Sequence, residues 1–183
     1  MPTAEIIAIG SELLTPSRVD TNSLFITEKL NGLGVSLIGK HIVGDDREQL
    51  TAAIRDSLQR ADVVLLSGGL GPTEDDVTRD AVGAALGRPL VFSVEQEAIL
   101  VRRFAQLHRR MAENNRRQAY LIEGAEALPN PHGTAPGQFV RTQSGGLFLL
   151  PGPPSELKPM MVEQVVPRLL EFLPRRVIKS RGF

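Results

Sequence analysis

An apolar run, Val63-Val64-Leu65-Leu66, passes directly into Ser67-Gly68-Gly69-Leu70-Gly71-Pro72-Thr73-Glu74-Asp75-Asp76, and Ala81 to Leu86 then reads as a helix closed by Gly87. A short buried strand, a glycine turn, an acidic segment and a helix in that order predict an open α/β sheet, whose ligands sit where strands end and helices begin. Glycines at such a turn let backbone N–H groups approach an anion. Asp75, Asp76 and Asp80 suit a metal ion or a general base. The same features also serve plainer ends. A glycine turn can exist for packing alone, and acids near a helix start complement its dipole. The stretch is neither Gly-x-Gly-x-x-Gly nor a Walker loop, since no Gly-Lys-Ser/Thr follows.

Upstream, the pattern occurs in simpler form. Ala4 to Ile9 predicts a first strand, followed by Gly10-Ser11-Glu12-Leu13-Leu14. Asp20 to Ser23 supply caps for a helix from about Asn22 to Leu33, with Ile26, Leu30 and Leu33 on its buried face. Val35 to Val43 predicts strand two. Gly44-Asp45-Asp46 then opens a helix carrying Leu50, Ile54 and Leu58, and either acid is accounted for by capping alone. Right-handed crossovers in this βαβαβ unit bring all three strand ends to one edge. Glu12, Asp45 and the glycine-acid stretch are therefore expected to line that edge together.

Downstream, Ser93 to Met111 reads as one long helix with an apolar stripe of Val94, Ala98, Val101, Phe104, Ala105 and Met111. Arginine pairs at 102–103, 109–110 and 116–117 would fall on nearly one side of a continuous helix, as a solvated basic face, an attractor of phosphate or a contact with a neighbouring subunit. Ala125 to Leu128 is short and extended. The loop Pro129 to Gly137 holds three prolines and two glycines, which predicts order rather than looseness. Gln138–Thr142 and Gly146–Leu150 form a hairpin pattern. A helix capped by Ser155 is expected to run to about Phe172 and to kink or split at Pro167, and residues 175–180 look like the start of another strand.

Composition narrows the classes of function. Lys plus Arg and Asp plus Glu are each 21, so net charge is zero and a nucleic-acid module driven by bulk charge is not expected. Aromatic residues make up only 4%, which disfavours base stacking. Cysteine is absent, which removes disulfides and thiolate metal sites and points to the cytoplasm. No apolar run reaches the length of a membrane span, and no signal-peptide pattern opens the chain.

Four stretches in this order, Gly10–Leu14, Ser67–Asp80, Asn130–Gly137 and Leu150–Glu156, closely resemble the N-terminal domain of the competence/damage-inducible CinA proteins, of the molybdopterin-binding MogA/MoeA-like superfamily. The resemblance implies an α/β fold, a three-layer α/β/α sandwich with a mainly parallel sheet, as one molybdopterin-binding-like domain over residues 1–175. Residues 176–183 would begin a strand or linker towards a C-terminal region. It implies ADP-ribose pyrophosphatase activity, giving AMP and ribose 5-phosphate, with a divalent metal ion (Mg, Mn or Co) and K+ as cofactors. Nicotinamide mononucleotide deamidase activity belongs to a separate domain of those proteins and is not expected here. The alternatives are molybdopterin binding or adenylylation, and a non-catalytic nucleotide-binding module. By the same resemblance Asp76 and Asp45 are the catalytic and metal-holding acids. The substrate-binding set is Gly10, Ser11, Glu12, Ser67, Gly68, Gly69, Gly71, Pro72, Thr73, Asp75, Gly133, Thr134, Pro136, Gly152, Pro153, Ser155 and Glu156. The implied partners are a small nucleotide substrate and further copies of the chain, as a dimer or trimer, with no nucleic acid and no membrane.

Overall fold

The computed structural model describes residues 1–172, so the strand expected from residue 175 lies outside the described residues. A six-stranded sheet runs in the order β2-β1-β3-β8-β7-β6. Its strands are β1 (Thr3–Ile9), β2 (Ser36–Val43), β3 (Val63–Ser67), β6 (Glu126–Leu128), β7 (Gly137–Arg141) and β8 (Gly146–Leu150). β2, β1, β3 and β8 are parallel, so their C-terminal ends share one edge. β7 and β6 extend the sheet antiparallel, as the hairpin pattern predicts. A separate antiparallel ribbon pairs β4 (Leu90–Phe92) with β5 (Tyr120–Ile122).

The alternation of side chains along each strand builds two cores. Ile6, Val63, Leu65, Phe148 and Leu150 face one layer, made by α1 (Thr21–Gly32), α5 (Pro154–Met160) and α6 (Val166–Phe172). Ile7, Val64, Leu66, Leu147 and Leu149 face the other, where α2 (Arg47–Arg60) supplies Leu50 and Ile54 and α3 (Thr78–Leu86) supplies Ala81 and Val82. The result is the expected three-layer α/β/α sandwich with a mainly parallel sheet.

Local chemistry sets most boundaries. Asp20 and Asp46 accept from the N–H groups of Ser23 and Gln49 and so cap α1 and α2. Asp46 is thus the cap and Asp45 is released for other work. Gly87 ends α3 in the left-handed conformation at φ 64°.

Two helices differ from the sequence pattern. The helix expected to reach Met111 is α4 (Val94–Gln106), with Ser93 as cap. It closes in a Schellman turn: Arg109 N–H donates to Phe104 O and His108 N–H to Ala105 O, with His108 at φ 51°. A histidine holds the place where glycine would have announced the end. The chain then makes a 3₁₀ segment over Glu113–Ala119, so the three arginine pairs do not share a helix face. Of the expected stripe on α4, none is fully buried; its one buried residue is Leu100. In the C-terminal helix Pro153, not Ser155, occupies the capping position. As expected at Pro167, the α-helix does not run through unbroken: Met161–Val165 adopts the wider π geometry between α5 and α6, just before the proline that lacks an N–H.

Candidate functional site

The glycine turn after β3 is built so that its carbonyls face inward. Gly68 O accepts from Thr78 Oγ1 (2.7 Å) and Gly69 O from Thr78 N–H (3.3 Å). Leu70 O and Gly71 O accept from the two terminal nitrogens of Arg79 (2.6 and 2.8 Å). In a trans peptide the following N–H points the opposite way. The N–H groups of Gly69, Leu70 and Gly71 therefore point away from that anchor, and they have no partner among the described residues. Glycine is demanded by packing as well. Gly68 has φ +106° and any Cβ there would lie 2.5 Å from Ile9 O, and Gly69 has φ +70° with its Cβ position blocked by Thr78 Oγ1.

Arg79 holds this turn from below. It is 3% exposed, and burial pulls its guanidinium down to about 10, with Asp76 and Asp80 favouring the charge and Arg117 opposing it. It stays cationic at neutral pH against the carbonyls of Leu70 and Gly71. Nothing in the linear pattern marks it, because its partners are backbone atoms of a loop.

Asp76 stands at the rim. Its Oδ2 accepts from Thr73 N–H (2.9 Å) and Thr73 Oγ1 (2.6 Å), and its Oδ1 has no hydrogen-bond partner among the described residues. Gly71 makes room for it, since a Cβ there would lie 2.5 Å from Asp76 Oδ2. A hollow of about 270 Å³ opens beside this carboxylate, lined by Gly69, Gly71, Pro72, Thr134, Gly152, Pro153 and Glu156 among others. Glu156 is fixed by Asn130 Nδ2 donating to its Oε2 (2.8 Å). Gln118, 2% exposed, donates to Thr134 Oγ1 while its Oε1 is buried without a partner.

A second hollow, of about 330 Å³, shares Gly152 and Pro153 with the first and adds Glu12, Arg18, Asn22 and Ser67. Asn22 Nδ2 donates to both Ser67 Oγ (3.1 Å) and Gly152 O (2.7 Å), tying α1, β3 and the loop after β8 together. Its Oδ1 is buried and unpaired. Asn22, Gln118 and Arg79 are site residues that sequence reasoning missed.

The remaining expected residues sit elsewhere. Gly10, Ser11 and Asp45 line neither hollow. Instead Ser11 N–H donates to Asp45 Oδ2 and Asp45 N–H donates to Ser11 Oγ, each at 3.0 Å, which clips the end of β2 to the turn carrying Glu12. Gly68, Thr73, Asp75 and Ser155 also lie outside both linings. Gly133 and Pro136 face a third hollow of about 480 Å³, with Arg102 and Arg103 opposite. Among the described residues no group of three or more His, Cys, Asp or Glu side chains is placed to hold a metal ion. No described helix is long and apolar enough to cross a membrane.

Comparison with known proteins places this geometry. The family described as "Probable molybdopterin binding domain" matches residues 5–171. A CinA-like protein of Solibacter usitatus is 54% identical over 177 residues, covering 97% of this chain and 42% of that protein. A CinA-like protein of Koribacter versatilis is 50% identical over 182 residues, covering 97% and 44%. The chain thus spans less than half the length of these curated relatives. Among solved structures, the protein CinA of unknown function from Thermoplasma acidophilum superposes with a TM-score of 0.83 at 28% identity, over 90% of this chain and 98% of that one. The molybdopterin biosynthesis enzyme MoaB from Thermus thermophilus shares the fold, with a TM-score of 0.59 at 19% identity over 95% and 92%.

Proposed function

The chain belongs to the probable molybdopterin binding domain family, as a CinA-like member, and on that premise we propose that it hydrolyses the diphosphate bridge of a nucleotide, ADP-ribose in particular. The observation that carries this reading is the row of open N–H groups at Gly69, Leu70 and Gly71 above the buried Arg79 cation. Such a row binds an oxyanion, and the positive charge beneath strengthens every bond in it. Two hollows joined at Gly152-Pro153 suit a ligand with two bulky ends and a charged middle.

In this reading the diphosphate lies across the glycine turn. Asp76 offers its free Oδ1 at the reacting phosphorus, and the Thr73 contacts to Oδ2 hold the carboxylate in place. Water adds to one phosphorus, the bridging P–O bond breaks, and AMP and ribose 5-phosphate leave with the two protons of water shared between products and buffer. Asp76 and Glu156 are hard oxygen donors that fit Mg, Mn or Co when phosphate oxygens complete the set. When bound there, such an ion would neutralise phosphate charge and acidify a water. Asp45 serves the Glu12 turn through Ser11, since it lines neither hollow.

The test is incubation of the chain with ADP-ribose and each divalent ion, followed by mass analysis. AMP and ribose 5-phosphate are expected, with an Asp76→Asn loss of about 10²- to 10⁴-fold, the range for removal of an acid–base or ligand group. ADP-ribose bound but never cleaved would make the chain a non-catalytic module. Molybdopterin bound in preference to ADP-ribose would support the biosynthetic reading, to which the shared MoaB fold lends weight.

A further inference from the structure

Three consecutive side chains of the 3₁₀ segment Glu113–Ala119 reach three different neighbours, as a helix with three residues per turn directs them. Arg116 pairs with Glu97 of α4 at 2.7 Å and lies over the Phe92 ring. Gln118 is buried and donates to Thr134 Oγ1. Between these two anchors Arg117 turns to the acidic stretch after β3. Its Nη1 donates to Thr73 O (3.0 Å), and its Nη2 lies 3.9 Å from Asp80 Oδ2. The Thr73 carbonyl belongs to a small clasp. Thr73 N–H and Oγ1 donate to Asp76 Oδ2 at 2.9 and 2.6 Å, and Asp76 N–H donates back to Thr73 O at 3.2 Å. A carbonyl oxygen has two lone pairs, so this one takes both Asp76 N–H and Arg117. Both Thr73 contacts to the carboxylate are open to solvent, where water competes for them. A charged donor, carried on a segment anchored at both neighbouring side chains, is the contact that steadies the clasp.

We infer that Arg117 is a positioning residue for the proposed hydrolysis: by holding Thr73 O it fixes the Thr73–Asp76 clasp, and with it the direction in which Asp76 Oδ1 points. The inference rests on the reading that Asp76 acts on a bound diphosphate. Arg117 lines neither hollow at the sheet edge, so it works through Thr73 and not by touching the ligand. Its pairing with Asp80 does not account for its place. The two side chains are 39% and 40% exposed, and an ion pair of that kind at 3.9 Å contributes little to stability. Removing the guanidinium should therefore leave the fold intact while Asp76 loses its fixed direction. Ligand contacts made by the glycine turn are untouched, so the loss is expected in kcat and not in KM. A lysine at this position still offers one charged donor to Thr73 O.

The test is ADP-ribose hydrolysis by the 183-residue chain, unaltered and as Arg117→Met, Arg117→Lys, Thr73→Val and the double variant of Arg117→Met with Thr73→Val. Amide exchange at Thr73 is followed alongside by NMR. Arg117→Met is expected to lower kcat about 10- to 100-fold with KM within about twofold, as for a misplaced catalytic group, and to melt within about 3 °C of the parent. Arg117→Lys should recover most of kcat. Arg117 and Thr73 act through one carboxylate, so the two single losses should combine to less than their product, whereas a guanidinium that touched the diphosphate would give the full product. Thr73 N–H should exchange about tenfold faster in Arg117→Met as the clasp opens. Parental kcat in Arg117→Met, a loss confined to KM, no recovery with lysine, or losses that multiply would each overturn the inference and leave the hydrolytic reading in place. No cleavage by unaltered protein would defeat that reading instead. Exchange at Thr73 then decides alone: faster rates in Arg117→Met uphold the role of Arg117 in the clasp, and unchanged rates overturn it.

Discussion

Arg79→Met tests whether a buried cation is kept for the glycine turn. Two effects on stability oppose each other. Burial lowers the guanidinium from its ordinary range to about 10, which at about 1.4 kcal/mol per unit means that folding forgoes roughly 3 kcal/mol to keep it charged. That penalty is fully present below pH 10 and is relieved as pH rises from there towards the ordinary guanidinium range, since the unfolded chain holds the proton longer. Methionine removes the penalty but leaves the Leu70 and Gly71 carbonyls without their donor, at about 1–3 kcal/mol each. The two offset in large part, so the variant should lie within about 3 kcal/mol of the parent and melt within about 12 °C of it. Binding has no such compensation. With those carbonyls free to turn, the Leu70–Gly71 and Gly71–Pro72 peptides lose their anchor and the Gly71 N–H is no longer aimed outward. The field of the cation is lost as well. Titration calorimetry with ADP-ribose and with inorganic pyrophosphate should show affinity at least tenfold weaker, corresponding to about 1.4 kcal/mol, the lower end for a charge-assisted hydrogen bond. A folded variant binding both with parental affinity would refute the argument that Arg79 shapes an anion cradle.

Three further outcomes follow from the geometry. Asp45→Asn keeps an oxygen to accept from Ser11 N–H and should retain ADP-ribose hydrolysis within about fivefold, while Asp45→Ala should lose about tenfold or more; equal and large losses in both would make Asp45 a metal ligand instead. Gly68→Ala places a Cβ 2.5 Å from Ile9 O at φ +106° and should lower stability by about 3 kcal/mol, whereas Gly32→Ala, with nothing within 4 Å of the added atom, should be neutral or stabilising in thermal melts. Glu5 is held at about 2 instead of 4.5, chiefly by its hydrogen bond from Arg60, with Ser57 assisting and burial opposing. Its contribution is fully present above pH 4.5 and is lost as pH falls towards 2. Solvent screening at the half-exposed Arg60 limits it to about 1–2 kcal/mol. Urea titrations of Glu5→Gln between pH 4.5 and 2 should accordingly show a flatter loss of stability than the parent, and equal slopes would count against the pairing.

The sheet was legible because its signal is local. Val63–Leu66 and Leu147–Leu150 are short apolar runs that fit a buried strand, the first stopped by Gly68-Gly69 after Ser67 and the second directly by Pro151. Helix α4 was legible in type and misjudged in extent and facing. An apolar stripe says that a face wants cover, and it does not say whether this chain supplies the cover. Its end was hidden for a different reason. A Schellman turn needs one residue in the left-handed region, and His108 accepts that conformation without advertising it as glycine would.

The site divides along the same line. Gly69, Gly71, Asp76, Gly152 and Glu156 belong to two short motifs that the parallel sheet necessarily delivers to one edge, so their meeting follows from topology. What gives the edge its chemistry is set by residues with no motif of their own. Arg79 reaches back eight and nine positions to carbonyls, Asn22 spans 130 positions to Gly152, and Gln118 joins Thr134. Each satisfies backbone or side-chain groups that become buried only once the fold has formed, so no periodicity records it. The same logic separates the two aspartates. Asp45 and Asp76 look equivalent in sequence, each following a strand and a glycine, yet one folds onto Ser11 and the other onto Thr73 at the mouth of a hollow. Each leaves its Oδ1 without a hydrogen-bond partner among the described residues, so what separates them is place: Asp76 lines the hollow beside the glycine turn and Asp45 lines neither hollow.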